Sequence, residues 1–296
     1  MKVYAWSAMY LALSLFVWTA QAQPSVQLTI DSTAQGTPIP SDFAGLSFEL
    51  SNLIPDKEGV YQFSADNKAL VAWFRAIGIK NLRVGGGTAD DSRYRLPTTA
   101  DIDQLFGFAR AADVKVIYTF RLLNGDKTYA ADMARYIYQR YRKQLSCFEI
   151  GNEPDWHSFH TSPGHDRDPL IVESAPEVSG SAYPSYLHDW NEFAAAILKA
   201  APGAPLTGPD TGSDYPLPGT KDTDYDGESW TQRFAEDEAG LKSLVFVTHY
   251  DYPGQGATGV TVATAIDSVL SADGVSKRYP LLYDHVFAPI LARGLS

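Results

Sequence analysis

The sequence predicts an α/β fold of the (β/α)8 TIM-barrel type, incomplete as it stands, and three observations carry that prediction. Short apolar runs alternate with segments of helical period at close spacing. The apolar runs are continuous rather than alternating, the pattern of parallel strands covered on both faces. Six such runs fall in series, near residues 43–50, 81–86, 114–120, 147–152, 205–210 and 244–250, where a closed barrel needs eight.

The 296 residues suffice for one large α/β domain. Residues 1–22 read as a cleavable leader: Lys2 stands near the start, an apolar run spans Tyr10 to Val17, and Ala20-Gln21-Ala22 is a small-residue cleavage pattern. Residues 23–296 are then the barrel portion, and the expected location is secreted or periplasmic. A net charge of −11 argues against a nucleic-acid partner. No later segment reads as a membrane span, so no membrane contact is expected after leader removal. The single Cys147 cannot form an internal disulfide and reads as a buried structural thiol. Seventeen Tyr, fourteen Phe and six Trp suit stacking on sugar rings and suit an ordinary large core equally well.

In chain order, Ser25 to Ile30 alternates at period two, and a Gly/Pro-rich loop follows from Gln35 to Ser41. Phe43 to Leu50 reads as a buried strand. The spacing of Leu70, Val71, Phe74 and Ile77 predicts a helix over 67–77, stopped by Gly78. A strand over 81–87, a helix over 101–111, a strand over 114–120 and a helix over 127–144 continue the alternation. The strand 147–152 then runs into Asn152-Glu153-Pro154, with Pro154 expected to stop it. A polar loop from His157 to Ser185 precedes a helix over 186–200 and a short strand over 205–210. A helix over 230–242, a strand over 244–250 and helices over 262–270 and 280–292 complete the series.

Chemistry concentrates at Asn152-Glu153-Pro154. An apolar strand delivering one carboxylate to the rim of a parallel sheet matches the place where barrels keep their reactive groups. Glycoside hydrolysis needs two carboxyl groups, about 5–5.5 Å apart in retaining enzymes, and Glu153 can supply one. Asn152 can donate to a sugar hydroxyl beside the reacting carbon. Glu149, four residues earlier on the same strand, is expected to share a face with Glu153 but to lie too deep to act, as a core partner. The competing reading of Asn-Glu-Pro is an ordinary strand-ending turn. Gly85-Gly86-Gly87 lacks the Lys-Ser/Thr of a phosphate loop and reads as a tight strand exit. His157, His160 and His165 lack the helical spacing of a zinc site, and the calcium-like Asp222-Thr223-Asp224-Tyr225-Asp226-Gly227 has Arg233 where the closing acid should stand. No metal and no cofactor is expected.

Asn152-Glu153-Pro154 after an apolar strand resembles the acid/base motif of the clan A glycoside hydrolases. Gly45 to Leu50, Leu82 to Asp90 and Phe148 to Asp155, in this order and spacing, resemble glycoside hydrolase family 79, the β-glucuronidases and heparanases. The resemblance spans roughly residues 25–296. It implies a retaining glycosidase acting on O-glycosidic bonds of a glucuronide-containing glycan or glycoside, with Glu153 as acid/base and Asn152 as its sugar-binding neighbour. It further implies that Arg83 braces the active-site carboxylates, that Glu49 contacts sugar hydroxyls, and that Tyr250 sits near the nucleophile. Such enzymes carry the nucleophilic Glu on a seventh strand. No Glu follows Glu238 here, so the expectation is a chain truncated before that strand, without the C-terminal β-sandwich and inactive alone. The alternative is a noncatalytic or degenerate carbohydrate-binding barrel.

Overall fold

A computed structural model of the chain describes residues 38–157, 183–212, 229–250, 261, 264, 279–292 and 294. The chain divides into two units, Met1–Ile39 and Pro40–Ser296, and every element below belongs to the second. The expected leader, the strand at 25–30, the acidic loop at 222–227, most of the polar loop and nearly all of the helix at 262–270 lie outside the described residues. His160, His165 and the side chain of His157 lie outside them too.

The architecture is α/β. Six strands form one parallel sheet in sequential order: β1 (Gly45–Glu49), β2 (Asn81–Gly85), β3 (Lys115–Phe120), β4 (Leu145–Ile150), β5 (Leu206–Thr211) and β6 (Leu244–His249). Every neighbouring pair is parallel. Strands β1 and β6 each have one partner, so the sheet is an open, incomplete barrel among the described residues. The connecting helices are α1 (Lys68–Ala76), α2 (Thr99–Ala112), α3 (Lys127–Tyr141), the single turn α4 (Pro154–His157), α5 (Tyr183–Ala200) and α6 (Trp230–Asp237).

Side-chain caps start these helices where the sequence supplies them. Asn67 accepts from the Leu70 N–H, Asp126 from Thr128 and Ser229 from Gln232, each satisfying a donor left over by the first turn. At α2, Thr98 and Asp101 form a reciprocal capping box. Between helices and sheet, Phe63, Phe74 and Phe108 are fully buried and meet edge to face, with Phe48 packed on the same cluster. Further along, Trp190 of α5 meets Phe234 of α6 edge-on at 4.9 Å between centroids. Each such side chain contributes about 1.5–3 kcal/mol by leaving water.

Four expectations change. β1 is not a buried strand: Phe43 and Leu46 are exposed, because the strand has a neighbour on one side only. β4 ends at Ile150, before the proline; Pro154 instead opens α4, where a missing N–H costs nothing. α3 and α6 stop earlier than their sequence pattern, at Tyr141 and Asp237. Single turns, Gln144 N–H to Tyr141 and Leu244 N–H to Leu241, bring the chain back to the next strand. The expected helix at 280–292 is two short pieces, α7 (Tyr279–Leu282) and α8 (Ala288–Ala292), joined by a π turn at Tyr283–Phe287. The turn widens just ahead of Pro289, which has no N–H to give. Leu282, Val286 and Ile290 still fall on one face and pack with Ala235 and Val247.

Candidate active site

The carboxyl ends of the strands converge on Arg83, the third residue of β2. Its Nε donates to Glu149 Oε2 at 2.7 Å, and its Nη1 donates to Ser47 Oγ of β1 at 3.1 Å. Its Nη2 meets Glu149 Oε2 at 2.6 Å, Asp210 Oδ2 at 2.5 Å and Asn152 Oδ1 at 3.0 Å. The Tyr250 ring, one residue past β6, lies 5.2 Å from the guanidinium carbon, a cation–π distance. Burial works against the charge of Arg83, but Glu149, Asp210 and Tyr250 outweigh it and raise its pKa. Only a planar fork with several donors satisfies so many acceptors at once.

Glu149 is fully buried and keeps the role of a core partner, its Oε2 also accepting from Thr119 Oγ1 at 2.5 Å. The shared face expected for Glu149 and Glu153 does not apply. β4 has ended, and Gly151 (φ 85°) and Glu153 (φ 45°) both turn the backbone left-handed. Glycine adopts that conformation freely, whereas Glu does not, and strain of this kind persists only where surroundings enforce it. The enforcement is visible. The Glu153 N–H donates to the Asp210 carbonyl at 2.9 Å, and the Asn152 N–H donates to Asp90 Oδ2 at 2.8 Å.

Asn152 is buried, and its Oδ1 accepts from both Arg83 and the Tyr250 hydroxyl, the latter at 3.2 Å. Those two donors fix which end of the amide is which, leaving Nδ2 as the donor on the Glu153 side, 3.5 Å from Oε2. Glu153 itself is half-buried. Burial pushes its pKa up, Arg83 and the Asn152 amide pull it down, Glu49 pushes it up again, and the net direction is upward. Such a carboxyl is suited to hold a proton and hand it over.

Glu49, at the end of β1, has its Oε2 held by the Thr88 N–H at 2.8 Å and the Thr88 hydroxyl at 2.7 Å. The glycine run expected to be a tight strand exit makes room for these groups. A Cβ at Gly85 would stand 2.9 Å from Arg83 Nη2 and closer still to Thr119 Oγ1. At Gly86, with φ 66°, it would stand 2.5 Å from the Glu49 carboxyl carbon.

Glu49, Arg83, Asn152, Glu153 and Tyr250 thus stand at one end of one sheet. Three partners were not anticipated from sequence. Asp90 ties β2, β3 and β4 together, its Oδ1 accepting from the Leu122 and Leu123 N–H groups and its Oδ2 from Asn152. Thr119 and Asp210 complete the Arg83 surroundings. The Gly208-Pro209-Asp210 stretch could have flagged an unusual strand end, but nothing local names its partner. Cys147 is buried and burial pushes its thiol far up, as fits a structural thiol. Among the described residues no group of His, Cys, Asp and Glu is arranged to hold a metal ion, and no helix is long and apolar enough to cross a membrane.

No family model matches the chain, and no curated protein matches it. Solved structures are similar to it. A family 51 α-L-arabinofuranosidase from Bifidobacterium longum is 15% identical with a TM-score of 0.48, over 86% of this chain and 53% of that one. A monomeric β-xylosidase from Caulobacter crescentus is 16% identical with a TM-score of 0.43, over 71% and 42%. An arabinofuranosidase of family 51 from Xanthomonas axonopodis pv. citri is 14% identical with a TM-score of 0.45, over 79% and 50%. The chain spans about half the length of these structures.

Proposed function

We propose that this chain is the acid/base-bearing portion of a secreted retaining glycoside hydrolase, β-glucuronidase-like, with Glu153 as the proton donor. One observation carries the reading: at the carboxyl end of a parallel sheet, a half-buried Glu with an upward-shifted pKa is held in strained backbone beside an oriented Asn. Glu153 protonates the departing glycosidic oxygen and afterwards takes a proton from water. Asn152 Nδ2, turned outward by Arg83 and Tyr250, donates to a sugar hydroxyl next to the reacting carbon. Glu49, anchored through one oxygen by Thr88, accepts from another hydroxyl. Arg83 braces the carboxylates. The reaction needs a second carboxylate about 5–5.5 Å from Glu153, which the resembled family carries on a seventh strand, and Tyr250 is proposed to stand beside it. Secretion rests on reading the pattern of residues 1–22 as a leader.

The test is Glu153→Gln in a protein carrying that seventh strand. Glycosides with poor leaving groups should lose about 10²–10⁴-fold in turnover, while strongly activated aryl glycosides keep their glycosylation rate. Equal loss for both classes would remove Glu153 from the acid/base role. Faster turnover of neutral aryl sugars than of aryl β-glucuronide would overturn the glucuronide assignment and leave the hydrolase standing.

A further inference from the structure

Two carboxyl groups and one guanidinium share the ground beneath Glu153, and their charges do not balance if both acids are ionised. Glu149 is fully buried and Asp210 is 3% exposed, and both meet the same nitrogen, Arg83 Nη2, at 2.6 and 2.5 Å. An uncompensated charge in such a place is strongly disfavoured. The donors distribute unevenly. Glu149 Oε2 accepts from Arg83 Nε and the Thr119 hydroxyl and lies 2.6 Å from Arg83 Nη2, whereas Asp210 Oδ2 accepts from Arg83 Nη2. Glu149 Oε1 is buried with no donor among the described residues. The Asp210 and Glu149 carboxyl groups are within hydrogen-bonding reach of each other, which two carboxylates can use only if one of them carries a proton.

We propose that Glu149 and Asp210 share one proton, carried by Asp210, and that this neutral Asp210 is the positioning residue that holds Arg83 with its side chain and Glu153 with its backbone carbonyl. The titratable groups facing Asp210 are Arg83 from β2, Cys147 and Glu149 from β4, Glu153 just beyond it and Tyr186 from α5. Of these only Arg83 favours the ionised form. Burial, then Glu149, push Asp210 well above the usual carboxylate range. Asp210 also sits at φ 59°, a conformation that Asp and Asn tolerate better than other side chains. The consequence for Glu153 is specific. A neutral neighbour leaves its proton affinity to burial, Arg83, the Asn152 amide and Glu49, whereas an ionised one would raise it further. The positioning role rests on reading Glu153 as the acid/base; the shared proton does not.

The experiment is carbon-13 NMR on the chain itself, labelled at Asp Cγ and Glu Cδ, with Asp210 assigned through its own backbone. The expected result is an Asp210 carboxyl in its neutral form at pH 7, with Glu149 ionised. An ionised Asp210, or a neutral Glu149, overturns the proposal without any variant. Asp210→Asn should then leave the thermal midpoint and the Glu153 titration midpoint unchanged, while Glu149→Gln lowers the thermal midpoint by several degrees. A fall in the Glu153 midpoint in Asp210→Asn would show that a charge had been removed and would equally overturn it. No substrate enters these measurements. Failure of a protein carrying the seventh strand to hydrolyse any glycoside would sink the functional reading and leave the proton pair, and the converse holds.

Discussion

Glu153 is held by a main-chain bond to Asp210, which leaves its half-buried carboxyl poised. Its left-handed backbone is anchored by the Asp210 carbonyl, and its pKa balance contains one adjustable charge, Glu49. Replacing Glu49 by Gln removes a negative neighbour without loss of bulk. The Glu153 midpoint should fall, since Glu49 is one of the groups that raise it. Carbon-13 titration of Glu Cδ reads this directly, and an unchanged midpoint would separate the two residues. The linkage sign follows from the upward shift. Between its unfolded value of about 4.3 and its raised folded value, the native state binds the extra proton. The stability this gives is complete below the unfolded value and is lost as pH rises through the folded one. The meeting of Arg83, Asn152 and Glu153 at one sheet end was legible in sequence because each sits in a contiguous strand-end motif. Asp210 was not, because its meaning lies in Arg83, 127 residues away.

Elements were legible to within a few residues wherever a capping side chain marks the start, as at Asn67, Asp126 and Ser229. They were less so where topology decides, as at the ends of α3 and α6, which stop to reach a strand rather than for lack of helical period. The start of α2 carries more than a cap. Asp101 is 1% exposed and accepts from the Thr98 N–H, the Thr98 hydroxyl, Arg95 at 2.6 and 3.1 Å, and the Tyr61 hydroxyl at 3.0 Å. Burial pushes its pKa up, but the Arg95 and Thr98 bonds outweigh that and the net shift is downward. Asp101→Ala should therefore cost about 2–4 kcal/mol, the cap contributing about 1 and the orphaned donors the remainder. Its sign is opposite to that of Glu153. The Asp101 contribution is present above the unfolded value of about 3.9 and disappears as pH falls through the folded value. Urea unfolding should show the full loss at pH 7 and a loss that shrinks as the pH is lowered below the unfolded value.

At the scale of the whole sheet, parallel order was readable from the alternation of apolar runs and helices, but how many strand ends one side chain reaches was not. Arg83 leaves β2 and meets Ser47 of β1, Glu149 of β4, Asn152 beyond it, Asp210 of β5 and the ring of Tyr250 beyond β6. Hydrogen bonds between neighbouring strands tie the sheet pair by pair; this guanidinium ties non-neighbours. Arg83→Lys keeps the charge and loses the fork, so one ammonium cannot reach Glu149 and Asp210 while also holding Asn152. Because the charge stays, the loss should fall below the roughly 3–5 kcal/mol of removing one partner of a buried pair outright. The distribution of that loss is the sharper test. If Arg83 is the common tie, native-state hydrogen exchange in Arg83→Lys should accelerate together at the carboxyl ends of β2, β4 and β5, with the Glu153 amide among the first to open because its acceptor belongs to Asp210. Acceleration confined to β2 and its immediate partners would mean that the sheet holds its ends by backbone pairing alone, and the strained Glu153 would then need another support.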